Sequence, residues 1–99
     1  MSDREAYIRK RRPLFWSVSE DKLGEISDEL LVESILNYGT LDDVRALFLL
    51  LGLEHVAEVF FQSERRARHN YFPETANFFR IYFKRHAPQY SSSFSANQS

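Results

Sequence analysis

Residues 40–62 have the sequence TLDDVRALFLLLGLEHVAEVFFQ, in which Gly52 separates two apolar segments of helical periodicity. Thr40 followed by Asp43 has the form of a capping box at the start of the first segment. The second segment repeats the apolar spacing, so we predict two helices that meet at a tight corner and turn their apolar faces inward. The side chains that define the first apolar face lie at i, i+3, i+4 and i+7: Val44, Leu47, Phe48 and Leu51.

Two further helices are predicted on either side of this stretch. Ser27 is suited to cap a helix whose first turn is acidic, because Asp28 and Glu29 favour the positive end of the helix dipole. Pro73 favours the start of the last helix, since its missing amide N–H is not needed in a first turn. We therefore predict an all-α fold class, a compact bundle of about four helices with a helix-turn-helix-like second half, near residues 27–38, 41–51, 53–63 and 73–86.

Three segments differ in composition. Residues 1–12 end in four consecutive basic residues without apolar periodicity, and we predict a flexible basic arm there. Residues 13–86 form the predicted helical domain, and we expect Phe15 and Trp16 to seal its core because leaving each in water costs roughly 1.5–3 kcal/mol. Residues 87–99 are rich in serine, which predicts a disordered tail.

The overall composition is that of a small globular protein. Ninety-nine residues with 43% apolar side chains suffice for one domain with one core. No apolar run is long enough to span a bilayer and the N-terminus is charged, so we expect a cytoplasmic protein without a membrane partner. The chain has no cysteine, and His55, His69 and His86 lack ligand-like spacing, so we predict neither a metal site nor a cofactor.

The net charge of −1 hides an uneven distribution of charge along the chain. Residues 1–19 contain five basic and two acidic side chains, residues 20–59 contain two basic and ten acidic ones, and residues 60–99 contain six basic and two acidic ones. If the two basic ends meet in the fold, they form a cationic surface opposite an anionic one. Such a surface suits phosphate or an acidic partner.

Three short motifs resemble those of a known family. Residues 14–18 are LFWSV, residues 36–43 are LNYGTLDD, and residues 73–79 are PETANFF. Together they resemble a bacterial and archaeal family of small uncharacterised all-α proteins with LFWDV, EYG-x-L-x-D and SP-x-TANFW motifs. Its members are often encoded beside nucleotidyltransferase-like toxins of the abortive-infection type, so the resemblance implies an antitoxin-like or accessory role. Ser17 and Phe72 depart from the family pattern, and Phe72 stands where a serine would cap the last helix.

The loop before the last helix and that helix itself carry the residues that we predict to bind a partner. Residues 63–72 combine arginines, a histidine and two aromatic side chains, a composition typical of a loop that contacts nucleic-acid backbone. We expect a non-catalytic protein-interaction module that docks an aromatic and basic surface onto a partner protein, which the resemblance suggests is a toxin. The predicted binding residues are Arg65, Arg66, Arg68, Asn77, Arg80, Tyr82 and Lys84.

Other functions fit parts of the same pattern. A helix-turn-helix-like regulator would use the same residues on DNA, although Glu54 and Glu58 would repel phosphate. The weaker alternative is a small helical ribonuclease with an Arg-(x)4–6-His pattern. Arg80 and His86 have that spacing, but six residues along a helix lie about 240° apart around its axis. Surplus apolar surface on the last helix also predicts self-association into a homo-oligomer.

Overall fold

The computed structural model describes residues 2–66 and 69–88, which form five α-helices joined by short connections. Two 3-10 helices, Arg12–Phe15 and Glu20–Glu25, connect the first α-helix to the second. The predicted all-α fold class is confirmed, and so are the four predicted helices, each end within one residue. The α-helices are α1 (Asp3–Lys10), α2 (Asp28–Tyr38), α3 (Leu41–Leu51), α4 (Leu53–Glu64) and α5 (Pro73–His86).

The helix ends follow the capping signals of the sequence. The Ser27 hydroxyl accepts a hydrogen bond from the backbone N–H of Leu30 (3.1 Å) at the start of α2. At the start of α3, the Thr40 hydroxyl accepts from the Asp43 N–H (3.1 Å) and the Asp43 carboxylate accepts from the Thr40 N–H (2.9 Å). Gly52 has a positive φ of 89°, which lets the chain end α3 and begin α4 within one residue. The capping box and the tight corner are therefore confirmed.

Helix α4 lies at the centre of the core and contacts α2, α3 and α5. Its Val56 and Phe60 are fully buried, as is Leu47 of α3. The Phe60 ring packs against Phe83 of α5 and against Tyr71, with ring centroids 5.4 Å and 5.1 Å apart. This aromatic cluster fixes one face of α5 against the core and leaves the opposite face outside.

The basic N-terminal run forms a helix, so the prediction of a flexible arm over residues 1–12 is wrong for the residues described there. The Ser2 hydroxyl caps α1 by accepting from the Glu5 N–H (3.1 Å). Ile8 is fully buried and Tyr7 nearly so. The Tyr7 hydroxyl donates to the backbone oxygen of Asp43 (2.6 Å), and burial raises the pKa of Tyr7 to about 12. Tyr7 and Ile8 anchor the helix to the core. Two adjacent apolar residues are too few to show helical periodicity, so the sequence pattern did not predict a helix here.

The basic residues of α1 and the turn after it are held by acidic residues from the middle of the chain. Arg4 donates to the Asp28 carboxylate (2.9 Å) and Arg11 donates to the Asp43 carboxylate (2.8 Å). The Arg11 guanidinium also lies 3.8 Å from the centre of the Tyr7 ring, in cation–π contact. The basic N-terminal segment and the acidic middle segment of the sequence thus form ion pairs with each other within the fold.

Only one of the two aromatic residues expected to seal the core does so. Phe15 is buried, whereas Trp16 is 74% exposed. Phe15 ends the first 3-10 helix and Trp16 follows it directly, so the two side chains leave the backbone in different directions. The prediction for Phe15 is confirmed and the prediction for Trp16 is wrong.

The C-terminal boundary lies later than residue 86. Ala87 is fully buried and its N–H donates to the backbone oxygen of Phe83 (2.8 Å). The rest of the predicted disordered tail, residues 89–99, lies outside the described residues. In the part of the chain that the structure describes, no helix has the length and apolar character needed to cross a membrane.

Candidate protein-interaction surface

Helix α5 carries large apolar side chains on two opposite faces. Phe79 and Phe83 point into the core and are buried. Phe78 and Ile81 point away from it and are 56% and 54% exposed. At 100° per residue, the exposed pair and Tyr82 fall within one sector of the helix, while the buried pair falls within another. The helix therefore has one apolar stripe that packs on the core and a second apolar stripe that is exposed.

Tyr82 connects the exposed stripe to the core. Its ring stacks on Phe48 of α3 with centroids 5.8 Å apart, and on Phe78 at 6.2 Å. The His86 ring lies 4.4 Å from it on the other side. Because these rings pack against one another, Phe78, Tyr82 and His86 have a defined arrangement.

A depression of about 260 Å³ lies on this outer side of α5. A second groove of about 320 Å³ runs from Phe78 to the start of α3, where Leu41 is 63% exposed. Apolar surface therefore continues from α5 onto α3. We call the lining of the depression the α5 face, which consists of Asn77, Phe78, Ile81, Tyr82, Arg85 and His86.

Helix α5 has charges of opposite sign at its two ends. Glu74 lies in the first turn of the helix, and Lys84, Arg85 and His86 lie in its last turn. All four side chains are exposed. Their placement agrees with the helix dipole, which favours acidic residues at the N-terminus and basic residues at the C-terminus.

The predicted binding residues separate into different surroundings. Asn77 and Tyr82 belong to the α5 face, and Lys84 is exposed beside it. Arg80 turns toward α4, where its Nε donates to the Glu64 carboxylate (3.0 Å). That hydrogen bond raises the pKa of Arg80.

The loop residues predicted to bind a partner do not form one free cationic edge. The Arg66 guanidinium pairs with the Glu29 carboxylate of α2. Arg65 caps the end of α4, where its N–H donates to the backbone oxygen of Phe61 (3.1 Å). Arg68 lies outside the described residues. Two of the predicted cationic contacts, Arg66 and Arg80, are thus already engaged by carboxylates of the same molecule.

The two residues of the ribonuclease pattern have different neighbours. Arg80 pairs with Glu64, whereas the His86 ring packs on Tyr82. His55 of α4 has a different partner, since its Nε2 lies 2.8 Å from the Asp28 carboxylate. Among residues 2–66 and 69–88, no group of three or more metal-ligating side chains comes together.

Four members of the exposed surface were missing from the predicted binding residues: Phe78, Ile81, Arg85 and His86. A signal for them exists in the sequence, because α5 has apolar residues on nearly every side. Two apolar faces of a helix are both buried only if each packs against another element. In this small domain one face of α5 packs on the core and the other stays exposed. The sequence analysis used this surplus to predict self-association, but it did not place Phe78 and Ile81 among the predicted binding residues.

Comparison with known proteins does not assign a function to this surface. No protein-family model, no curated protein and no solved structure matches the chain. The family resemblance and its implied role therefore stay predictions.

Proposed function

We propose that this chain is a non-catalytic protein-interaction module that docks a partner protein through the α5 face. The observation that supports the proposal is the exposure of Phe78 and Ile81 beside an open depression, on a helix whose other side forms the core. Covering the exposed half of each side chain contributes roughly 1 kcal/mol. Aromatic and aliphatic side chains bordered by arginine are also the usual composition of interface centres.

The partner we propose is a separately encoded toxin of the nucleotidyltransferase-like type. This part of the proposal rests on the motif resemblance, which implies an antitoxin-like or accessory role. The contact chemistry fits a partner with an apolar patch and acidic residues beside it, because Arg85 and Lys84 border the exposed stripe. In such a complex the toxin is neutralised by occupation of its surface.

The nucleic-acid alternative has weaker support from the geometry. Arg66 and Arg80 pair with Glu29 and Glu64, so phosphate would have to displace a carboxylate from each arginine. Glu54 and Glu58 are exposed on α4. A protein partner that covers apolar side chains needs no such displacement, and this favours the interaction module.

The proposal is tested by co-expression with the product of the adjacent gene. We expect the two proteins to co-purify, and to stay together when salt is raised from about 0.15 M to about 0.5 M, because apolar contacts are not screened. Phe78→Glu should abolish co-purification. Leu49→Glu is the matched control, because Leu49 is 89% exposed on α3 and lines a different groove against α1.

Retention of the toxin by the Phe78→Glu variant would contradict the proposed surface. Binding of mixed duplex DNA that weakens steeply with salt, and that disappears when Arg65 and Arg66 are changed to Ala, would instead support the regulator. Circular dichroism of each variant checks that the helices are intact.

A further inference from the structure

The exposed side of α5 has the spacing of a coiled-coil seam. Glu74, Phe78, Ile81 and Arg85 succeed one another at intervals of four, three and four residues. This is the alternation that keeps side chains on one side of a helix facing a second helix. The two central positions are apolar and the two outer positions are charged, with opposite sign.

This pattern is complementary to itself when two copies of α5 run in opposite directions. If the centre of the pairing lies between Phe79 and Arg80, Phe78 packs against Ile81 of the second copy, and Ile81 against Phe78. The same register brings Glu74 next to Arg85 of the second copy at both ends. A two-fold axis makes each contact occur twice, as in an isologous interface.

Charge disfavours the parallel arrangement of the same two helices. Parallel pairing would bring Glu74 beside its own copy and would gather two sets of Lys84, Arg85 and His86 at the other end. Like charges at such distances are destabilising. Antiparallel pairing also places the two helix dipoles in opposite directions.

We propose that, in the absence of another protein, the α5 face is covered by a second copy of this chain in an antiparallel, two-fold symmetric helix pair. The inference rests on the proposed function in one respect, since it takes the α5 face as the docking surface. A helix of 14 residues is about 21 Å long, so the paired area is below that of a standard interface. We expect a dissociation constant on the order of 0.1 mM, because only four apolar side chains and two exposed charge contacts form the pairing.

Sedimentation equilibrium of the full chain at a series of concentrations measures this pairing. We expect a monomer–dimer equilibrium that Phe78→Glu weakens by more than about a hundredfold, because it places two carboxylates in the centre of the seam. Leu49→Glu should leave the equilibrium unchanged. A chain that stays monomeric at about 1 mM, well above the expected dissociation constant, or a dimer that survives Phe78→Glu, would overturn the inference.

Charge reversal at the outer positions tests the direction of pairing. Glu74→Arg alone and Arg85→Glu alone each create two like-charge contacts, and each should weaken self-association by about tenfold. An equimolar mixture of the two variants should restore dimerisation, because every outer contact in the mixed dimer joins an arginine to a glutamate. The doubly reversed chain should also recover. Failure of both restorations would overturn the antiparallel register.

These results separate the inference from the proposed function. A monomeric chain that binds the toxin in a manner sensitive to Phe78→Glu overturns the inference and supports the proposed function. A dimer with the expected charge-reversal behaviour supports the inference, and if toxin binding is then indifferent to Phe78→Glu, the proposed toxin-docking surface is overturned.

Discussion

Helices α1 and α5 lie near opposite ends of the chain, and they differ in which side chains point inward and which point outward. In α1 and the turn after it, the charged groups of Arg4 and Arg11 turn inward to Asp28 and Asp43. In α5, the apolar groups of Phe78 and Ile81 turn outward. A strongly charged segment is thus built into the fold, while an apolar stripe of another helix remains exposed.

Composition alone does not distinguish a segment whose side chains pair within the fold from one whose side chains stay exposed. The guanidinium groups of α1 have carboxylates within hydrogen-bond distance, so they stabilise the attachment of that helix. Phe78 and Ile81 of α5, by contrast, are apolar and more than half exposed. We therefore base the proposed docking surface on exposed apolar side chains and not on basic ones.

The largest expected effect contrasts the two sides of α5. Phe83→Ala should lower the free energy of unfolding by about 4 kcal/mol, because Phe83 is fully buried against Phe60. Phe78→Ala should lower it by less than about 1 kcal/mol, since that ring is more than half exposed. Urea denaturation at low protein concentration measures both values without a contribution from self-association. Equal losses would mean that α5 has no outward face.

The next effect concerns the attachment of α1. Ile8→Ala should destabilise the protein by about 3 kcal/mol, because Ile8 is fully buried. Lys10→Ala, an exposed position on the same helix, serves as control and should change the stability by less than about 0.5 kcal/mol. A loss for Ile8→Ala no greater than that of the control would show that the N-terminal segment is an arm after all.

The smallest expected effect depends on pH. The Thr40 N–H, and with it Arg11, holds the pKa of Asp43 below its ordinary value. A lowered pKa in the folded state stabilises the fold above the unfolded value of about 3.9, and this contribution is lost as the pH falls through the folded value. Asp43→Asn should therefore cost about 1–2 kcal/mol near neutral pH and progressively less in acid. Denaturation curves of both proteins at several pH values measure the gap. A gap that widens in acid would contradict this role.

Local signals account for the part of the fold that was predictable. The boundaries of α2 to α5 follow from apolar periodicity, the Ser27 and Thr40 caps, Gly52 and Pro73, all of which act over a few residues. Phe72 offers no side-chain cap, yet α5 still begins at Pro73. Short-range chemistry thus fixes where these helices begin and end.

Long-range pairing accounts for what the sequence could not show. The partners Arg11 and Asp43 are 32 residues apart, and Arg4 and Asp28 are 24 apart, so neither pair has a local signature. The ion pair between Arg66 and Glu29 is also long-range. Because Glu29 engages Arg66, this predicted binding residue is not free on the candidate surface. The outward stripe of α5 was readable, because its apolar residues outnumber the places available in a small core.

The contrast between α1 and α5 is tested most directly by two-dimensional ¹⁵N–¹H NMR spectra of the full chain, recorded on dilution from about 1 mM to well below the expected dissociation constant. We expect the concentration-dependent amide shifts to lie between Glu74 and His86 and at Leu41, and the amides of Asp3–Lys10 to stay unchanged. Shifts centred on Asp3–Lys10 or on the loop before α5, with none along the outer stripe, would contradict the assignment of α5 as the surface that this molecule offers to others.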